Sequence, residues 1–179
     1  MKKALLIASV LFIAVISTAC INNFAVQELN NKAAEYMEKG DYEAAMNRVE
    51  ASIDLDATMF ETYYNLGIAA TNAKKYEVAI EALNNGIKIK PDFANFYYSL
   101  AMAQIEYADT LVKEETFDKE TEQVIANEVT EEDIVKSEGV KKYAVANLNK
   151  YLQLNPQAED KDAVLETIER CSESKDKEK

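Results

Sequence analysis

The strongest constraint on the fold is an internal repeat with a period of 34 residues. The stretch KGDYEAAMNRVEASIDLDA, which begins at Lys39, has the same pattern as KKYEVAIEALNNGIKIKPD, which begins at Lys74. Six positions pair at this period: Tyr42 with Tyr76, Ala45 with Ala79, Val49 with Leu83, Ser52 with Gly86, Ile53 with Ile87 and Leu55 with Ile89. A constant period of this length indicates a solenoid built from stacked copies of one unit.

Each unit has the residue pattern of two packed helices. Apolar residues recur at helical intervals, and small residues stand where two helices would approach most closely. These small residues are Ala33, Ala45 and Ser52 in the first unit and Gly67, Ala79 and Gly86 in the second. Pro91 ends the second unit, because proline cannot continue a helix. With only 4 Gly and 2 Pro in 179 residues, the chain is predicted to be all-α.

A third unit begins at Ala94 and is interrupted. Its second half returns only with AVANLNKYLQLNP, whose Pro156 lies 65 residues after Pro91 rather than 34. An insertion of 31 residues, at about 109–139, therefore separates the two halves of this unit. Tyr151 stands at a position that holds a small residue in the earlier units, so the packing there must differ.

The insertion is strongly acidic. Between Glu114 and Glu138 there are ten acidic residues and two lysines. We expect this segment to form prolonged or extra helices with an acidic outer face. Thr130 and Asp133 have the spacing of a capping box, which predicts a helix that begins there and runs to Leu154.

The 34-residue helical hairpin resembles the tetratricopeptide repeat (TPR) over residues 26–156, with two regular repeats and one interrupted repeat. The resemblance implies a TPR-like α-solenoid of about three helix-turn-helix repeats. Helices are predicted at about 26–38, 42–55, 60–73, 76–89, 94–113 and 137–153. Residues 157–172 are predicted to form a C-terminal capping helix, and residues 173–179 a disordered tail.

The first nineteen residues have the three regions of a secretory signal. Lys2 and Lys3 precede an apolar run from Ala4 to Ile16, which is followed by small or polar residues. The run is shorter than the roughly 20 apolar residues that a spanning helix needs. Residues 1–19 are therefore predicted to be a signal peptide, and a retained single-pass anchor is the alternative.

The cysteine after this run resembles the lipidated cysteine of bacterial lipoproteins. Ala19 fits the position before the cut, whereas Ser17 replaces the usual leucine. The resemblance implies that Cys20 is lipidated (palmitate) and that residues 20–25 form a short tether to the membrane. The alternative is that Cys20 is a small residue beside an ordinary signal-peptidase site. Ile21, rather than an aspartate, favours the periplasmic side of the outer membrane if the host has one.

Composition excludes several classes of function. The formal charge of −12 and the lack of a basic patch argue against a nucleic-acid partner. The chain has no His, so the commonest general base and metal ligand is missing. Cys171 consequently has no His partner for nucleophilic catalysis. The acidic insertion lacks the alternating spacing and central glycine of a calcium loop. We therefore predict no cofactor, no metal and no catalytic residue.

The TPR resemblance also implies where a partner binds. The first helix of each repeat lines a concave groove, and a protein or peptide segment is the expected ligand. The predicted partner-binding residues are Asn30, Asn31, Tyr64, Asn65, Ile68, Tyr98 and Met102. Alternatively, Tyr64 and Tyr98 pack between neighbouring repeats and contact no partner. Some TPR domains clamp a C-terminal carboxylate, and the corresponding positions here are Asn30, Ala34, Asn65, Asn95 and Ser99. Only Asn65 agrees with that pattern, so a carboxylate clamp is not expected.

Two functional hypotheses follow. The first is a non-enzymatic, lipid-anchored TPR adaptor of the bacterial cell envelope, which helps to assemble a membrane-associated complex. The second is an envelope enzyme or a glycan- or ligand-binding protein that uses groove carboxylates such as Glu61 and Glu106. Paired carboxylates catalyse hydrolysis without histidine. No acid in this sequence stands in a context that would tune it, so the first hypothesis is preferred.

Overall fold

A computed structural model describes residues 23–113, 115–118, 123–126 and 128–173. The predicted signal peptide, Cys20 and residues 174–179 of the predicted tail lie outside the described residues. The elements in chain order are α1 (23–38), α2 (Tyr42–Leu55), α3 (Phe60–Asn72), α4 (Tyr76–Ile89), α5 (Ala94–Leu111), β1 (Glu115–Asp118), β2 (Gln123–Ala126), α6 (Glu131–Leu154) and α7 (Lys161–Ser172). Helix α1 already includes residues 23–25, which were predicted to be tether. Among the described residues, no helix is long and apolar enough to span a membrane.

The regular units form the predicted helical hairpins, and α2 and α4 have the predicted bounds. Their turns are equivalent as well as their helices. Gly40 and Lys74, which are one period apart, both adopt the left-handed backbone conformation, with φ of 73° and 60°. Asp41 then caps α2 by accepting a hydrogen bond from the backbone N–H of Ala44 at 3.1 Å. The repeat therefore extends to the backbone geometry of the turn.

Glycine marks the places where successive helices approach most closely. A Cβ atom on Gly67 of α3 would lie 2.4 Å from Cγ of Leu83 in α4. A Cβ atom on Gly86 of α4 would lie 2.2 Å from the ring of Phe96 in α5. The prediction that these small residues permit close helix packing is thus confirmed, and the main core extends along α1 to α5 through such contacts.

The insertion lengthens both helices of the third unit, as predicted. Helix α6 begins with the predicted capping box, because Thr130 accepts from the Asp133 backbone and Asp133 accepts from the Thr130 backbone. Ser137 fixes the extension by donating to the carbonyl of Ala108 at 2.9 Å. Lys141 adds an ion pair with Asp109 at 2.7 Å.

The prediction that the whole insertion is helical is wrong. Strands β1 and β2 form an antiparallel pair between α5 and α6, with Glu115 opposite Ala126. The strand sequences ETFD and QVIA are rich in β-branched and aromatic residues, which favour extended backbone. A helix would also have placed Glu114, Asp118 and Glu122 one turn apart, where like charges repel.

A second core forms where α7 packs against the third unit. Its buried residues are Ala101, Ile105, Ala144, Leu148, Tyr151 and Val164. Tyr151 fills the position that holds a small residue in the earlier units, and only 7% of it is exposed. Its ring lies 5.2 Å from the ring of Tyr98, so the packing differs there, as predicted.

Candidate partner-binding groove

The first helices of the three units, together with α7, present the candidate groove. Asn30, Tyr64 and Tyr98 occupy the same place in α1, α3 and α5, because they are spaced by one period. Asn30 contacts its own and the following unit, Tyr64 contacts the following unit and Tyr98 contacts the second helix of its own unit. The three residues make three different sets of contacts, which decide how far each side chain is available to a partner.

Asn30 is a structural residue rather than a free groove residue. Its side-chain amide lies 3.0 Å from the hydroxyl oxygen of Ser52, 3.1 Å from that of Thr62 and 3.1 Å from the Val26 carbonyl. An amide has only two hydrogens, so these three acceptors share them. Ser52 and Thr62 are fully buried. Asn30 therefore satisfies polar groups between α1, α2 and α3, so a partner would have to displace these hydrogen bonds, and its role in partner binding stays a prediction.

Asn65 is partly committed to the same network. Its amide donates to the side-chain oxygen of Asn30 at 3.1 Å, which links α3 to α1. Within the described part of the chain, the side-chain oxygen of Asn65 accepts no hydrogen bond. This half-buried residue therefore keeps one acceptor for a ligand N–H.

Tyr64 packs between the second and third repeats, whereas Tyr98 packs within the third repeat. The ring of Tyr64 lies edge-on to Phe93 at 5.5 Å and to Phe96 at 5.6 Å. The ring of Tyr98 packs against Tyr151. Each tyrosine is nevertheless only half-buried. Such a ring, rigidly held and partly open to solvent, offers apolar area at little entropic cost.

The remaining predicted groove residues are divided between two places. Ile68 is half-buried on α3, between the first and third units. Asn31 is exposed and lines a depression of about 300 Å³ with Phe24 and Gln27. The described lining of that depression comes from α1 alone, so the structure does not bring Asn31 together with the tyrosines.

Met102 and Tyr98 line a small pocket of about 70 Å³ between α5, α6 and α7. The other lining residues are Leu148, Asp160, Ala163, Val164 and Thr167. The sequence reasoning assigned α7 only a capping role and missed its contribution to this site. The spacing along the sequence could have predicted this contribution. Pro156 lies 65 residues after Pro91, and at the same spacing Asp160 corresponds to Asn95 and Thr167 to Met102.

Asp160 and Tyr151 form a polar contact at the edge of this pocket. The Tyr151 hydroxyl donates to a carboxylate oxygen of Asp160 at 2.8 Å. Burial, and then this hydrogen bond, raises the pKa of Tyr151. The tyrosine therefore stays protonated and oriented toward the carboxylate at neutral pH.

A larger pocket lies away from the groove, beside the turn between α3 and α4. It measures about 450 Å³, and its lining includes Lys75, Glu77 and Tyr107. Lys75 forms an ion pair with Glu43 at 2.7 Å, and the Tyr107 hydroxyl donates to Glu77 at 2.9 Å. Lys75 and Glu77 therefore already have partners, and size alone does not make this pocket a ligand site.

Glu61 and Glu106 do not form a catalytic pair. Glu61 is equivalent to Asn95, so Glu106 lies eleven residues further along the helix register, or about 16 Å at 1.5 Å per residue. Paired carboxylates of glycosidases are only about 5–9.5 Å apart. Burial, followed by the charge of Glu106 and a hydrogen bond to it, raises the pKa of Tyr76, which places Glu106 at that tyrosine. The described residues also contain no group of three or more acidic or cysteine side chains that would hold a metal ion.

Residues 29–59 and 60–93 each match the family model of the tetratricopeptide repeat. The chain therefore contains TPR repeats, and the matched segments cover α1 from residue 29 onward and all of α2 to α4 with their turns. A search among curated proteins finds no match.

Several solved structures are similar in fold. The TPR domain of Arabidopsis OM64 is 15% identical, with a TM-score of 0.62 over 83% of this chain and 98% of that chain. The second TPR domain of human RPAP3, in complex with an HSP70 peptide, is 14% identical, with a TM-score of 0.61 over 83% and 98%. The Yersinia enterocolitica chaperone SycD, in complex with a peptide of the translocator YopD, is 17% identical, with a TM-score of 0.59 over 82% and 91%. These similarities show a TPR-like helical solenoid.

Proposed function

We propose that this protein is a non-enzymatic adaptor that holds an extended segment of a partner protein in its groove. The observation that carries the proposal is the row of Tyr64, Ile68, Tyr98 and Met102, which are all half-exposed on successive first helices. Tyr64, Tyr98 and Met102 are in addition packed against the two cores. Two of the similar structures contain a bound peptide, which supports the same use of the fold here.

The chemistry of the groove suits an extended backbone with apolar side chains. The free acceptor of Asn65 has the geometry of an amide and would receive a backbone N–H. The tyrosine rings, Ile68 and Met102 offer apolar area, and methionine adapts to irregular shapes. A segment with alternating apolar residues would use both features at once.

An acidic C-terminal tail is not the proposed ligand. Binding such a tail needs cationic side chains, because a carboxylate is costly to desolvate without a positive partner. Of the five clamp positions, Asn30 already donates hydrogen bonds to Ser52 and Thr62, and Ser99 is only 8% exposed. None of the five is Lys or Arg. The net negative charge of the whole chain would also repel an acidic tail.

We further propose that the adaptor is anchored to a bacterial cell envelope by lipid on Cys20, on the periplasmic side of the outer membrane if the host has one. The sequence pattern around Cys20 supports this proposal. Residue 23 is already helical, and the three residues 20–22 can span at most about 10 Å even when fully extended. The first repeat would then lie close to the membrane surface.

Lipidation is tested by substituting Cys20→Ala and labelling cells of a bacterial host with a clickable palmitate analogue. We expect the full-length protein to lose the label and to leave the membrane fraction. Cys171→Ala is the matched control and should retain both properties. A label that persists in the Cys20 variant, or that disappears only in the Cys171 variant, contradicts the lipid anchor.

The groove is tested with a photoreactive amino acid at Ile68, compared with the same amino acid at Glu81. Ile68 lies on the groove side of α3, whereas Glu81 is exposed on α4, a second helix of its unit. We expect a specific crosslinked protein from the envelope fraction only at Ile68. Equal crosslinking at both positions, or crosslinking only at Glu81, would rule out the groove as the binding surface.

A further inference from the structure

We propose that the pocket between α5, α6 and α7 binds a lysine side chain of the segment held in the groove. This inference rests on the proposed function and names the residue that the bound segment must carry. It follows from the shape of the pocket, from its single charge and from the hydrogen-bonding state of its polar groups.

The walls of the pocket suit an aliphatic stem. Met102 and Leu148 contribute apolar surface from α5 and α6, and Val164 contributes it from α7. The volume of about 70 Å³ admits roughly five groups the size of a water molecule, at about 10–15 Å³ for each. This matches the four-carbon stem and terminal amine of lysine. The planar guanidinium of arginine is bulkier and fits less well.

The charge of the pocket selects a cation. Asp160 is the one charged residue in the described lining, and it is half-buried. The half charge at the N-terminus of α7 opposes a cation, but it is smaller than the full charge of the carboxylate. Tyr98 also lines the pocket, and an ammonium group over the face of its ring would be attracted further.

Two polar side chains of the pocket, Asp160 and Thr167, are left as acceptors. The carboxylate of Asp160 accepts from the Tyr151 hydroxyl and has unused lone pairs. The Thr167 hydroxyl donates its hydrogen to the Ala163 carbonyl at 2.9 Å, so only its lone pairs remain. A ligand group must therefore bring donors, and an ammonium group has three donors and no acceptor.

The experiment uses the full chain in detergent and an immobilised peptide library with neutral, randomised flanks. One central position is Lys, norleucine or Glu. We expect the wild type to retain lysine peptides about three- to tenfold better than norleucine peptides, as for a partly buried charge beside an aromatic ring. Asp160→Asn should abolish this preference while its oxygen still accepts from Tyr151. Asp162→Asn, an equal charge change on the exposed face of α7, should retain it.

A second variant keeps the carboxylate and closes the pocket. Ala163 is exposed at the rim, so Ala163→Phe should fill the opening without disturbing the core, and the lysine preference should vanish. A wild type without lysine preference, or a preference that survives in both the Asp160 and Ala163 variants, overturns the inference. If Ile68→Ala still weakens library binding in that case, the partner-binding role of the groove is retained and only the proposed lysine pocket is refuted. If the library binds and Ile68→Ala has no effect, the proposed function fails.

Discussion

The contact between Gly86 and Phe96 gives the sharpest prediction about stability. A Cβ atom on Gly86 would lie 2.2 Å from Cε1 and Cζ of the Phe96 ring, whereas carbon atoms normally pack about 3.5–4.0 Å apart. Relief needs a shift of more than about 1 Å. The ring is fully buried and is held edge-on by Phe93 at 5.3 Å and by Tyr64, so it has no room to shift.

The magnitude follows from two opposing terms. Overpacking a core costs about 1–3 kcal/mol, and the rigid surroundings of Phe96 place this site in the upper part of that range. Alanine gains about 1 kcal/mol over glycine in a helix interior. We therefore expect Gly86→Ala to lower the free energy of unfolding by about 1–2 kcal/mol.

Gly139 provides the matched control. It lies within α6, and a Cβ atom there meets no atom within 4 Å. Gly139→Ala keeps the helix-propensity gain without the clash, so we expect stabilisation by about 0.5–1 kcal/mol. The two identical substitutions should therefore have opposite signs.

Urea denaturation of the purified variants, followed by circular dichroism, measures both changes from the shift in midpoint at constant slope. Combining Gly86→Ala with Phe96→Leu should recover part of the loss, because the smaller side chain removes the overlap. The reasoning is refuted if Gly86→Ala is as stable as the wild type. It is also refuted if both glycine variants lose stability equally.

Two further predictions concern the polar contacts. Asn30→Ala should lower the free energy of unfolding, measured by urea denaturation, by about 1–3 kcal/mol, because it leaves the buried hydroxyls of Ser52 and Thr62 without this partner. Asn31→Ala, on the exposed face, should change it by less than about 0.5 kcal/mol. Equal effects would contradict the structural role of Asn30. The hydrogen bonds from Thr130 lower the pKa of Asp133, so the stability that this cap contributes is present above the ordinary carboxyl pKa of 3.8 and is lost as the pH falls through the lower folded value. The protection of the amides in the first turn of α6, relative to their intrinsic exchange rate at each pH, should fall over that acid range in the wild type and in Glu132→Gln. Asp133→Asn should show no such fall, and a fall in protection that survives in the Asn variant refutes the assignment.

The repeated helices were predictable because they depend on local pattern. Apolar residues at helical spacing, together with Pro91 and the capping residues, define α2, α4 and the start of α6. The strands between α5 and α6 were missed because composition was given more weight than local pattern. The acidic composition suggested solvated helices, but repulsion between acids one turn apart and the β propensity of short segments decided the local structure there.

The candidate groove was predictable only as a surface. Asn30 and Asn31 are the same residue type at adjacent positions of one helix, and the sequence offers no reason to separate them. Their roles differ because helix rotation turns one toward Ser52 and Thr62 and leaves the other in solvent. Asp160 was missed because the capping helix was expected only to cover the end of the stack.

The sequence by itself determined the period, the bounds of α2 and α4 and the positions of Gly67 and Gly86, since these follow from spacing along one chain segment. The tertiary structure decided which polar side chains form hydrogen bonds within the protein and which can still bind a partner. It brought Asp160 to Tyr98 and Met102, and it joined Asn65 to Asn30. The physical reason is that a side chain's partners come from helices distant in sequence, and only the packing angle and rotation of those helices bring particular atoms within hydrogen-bonding distance.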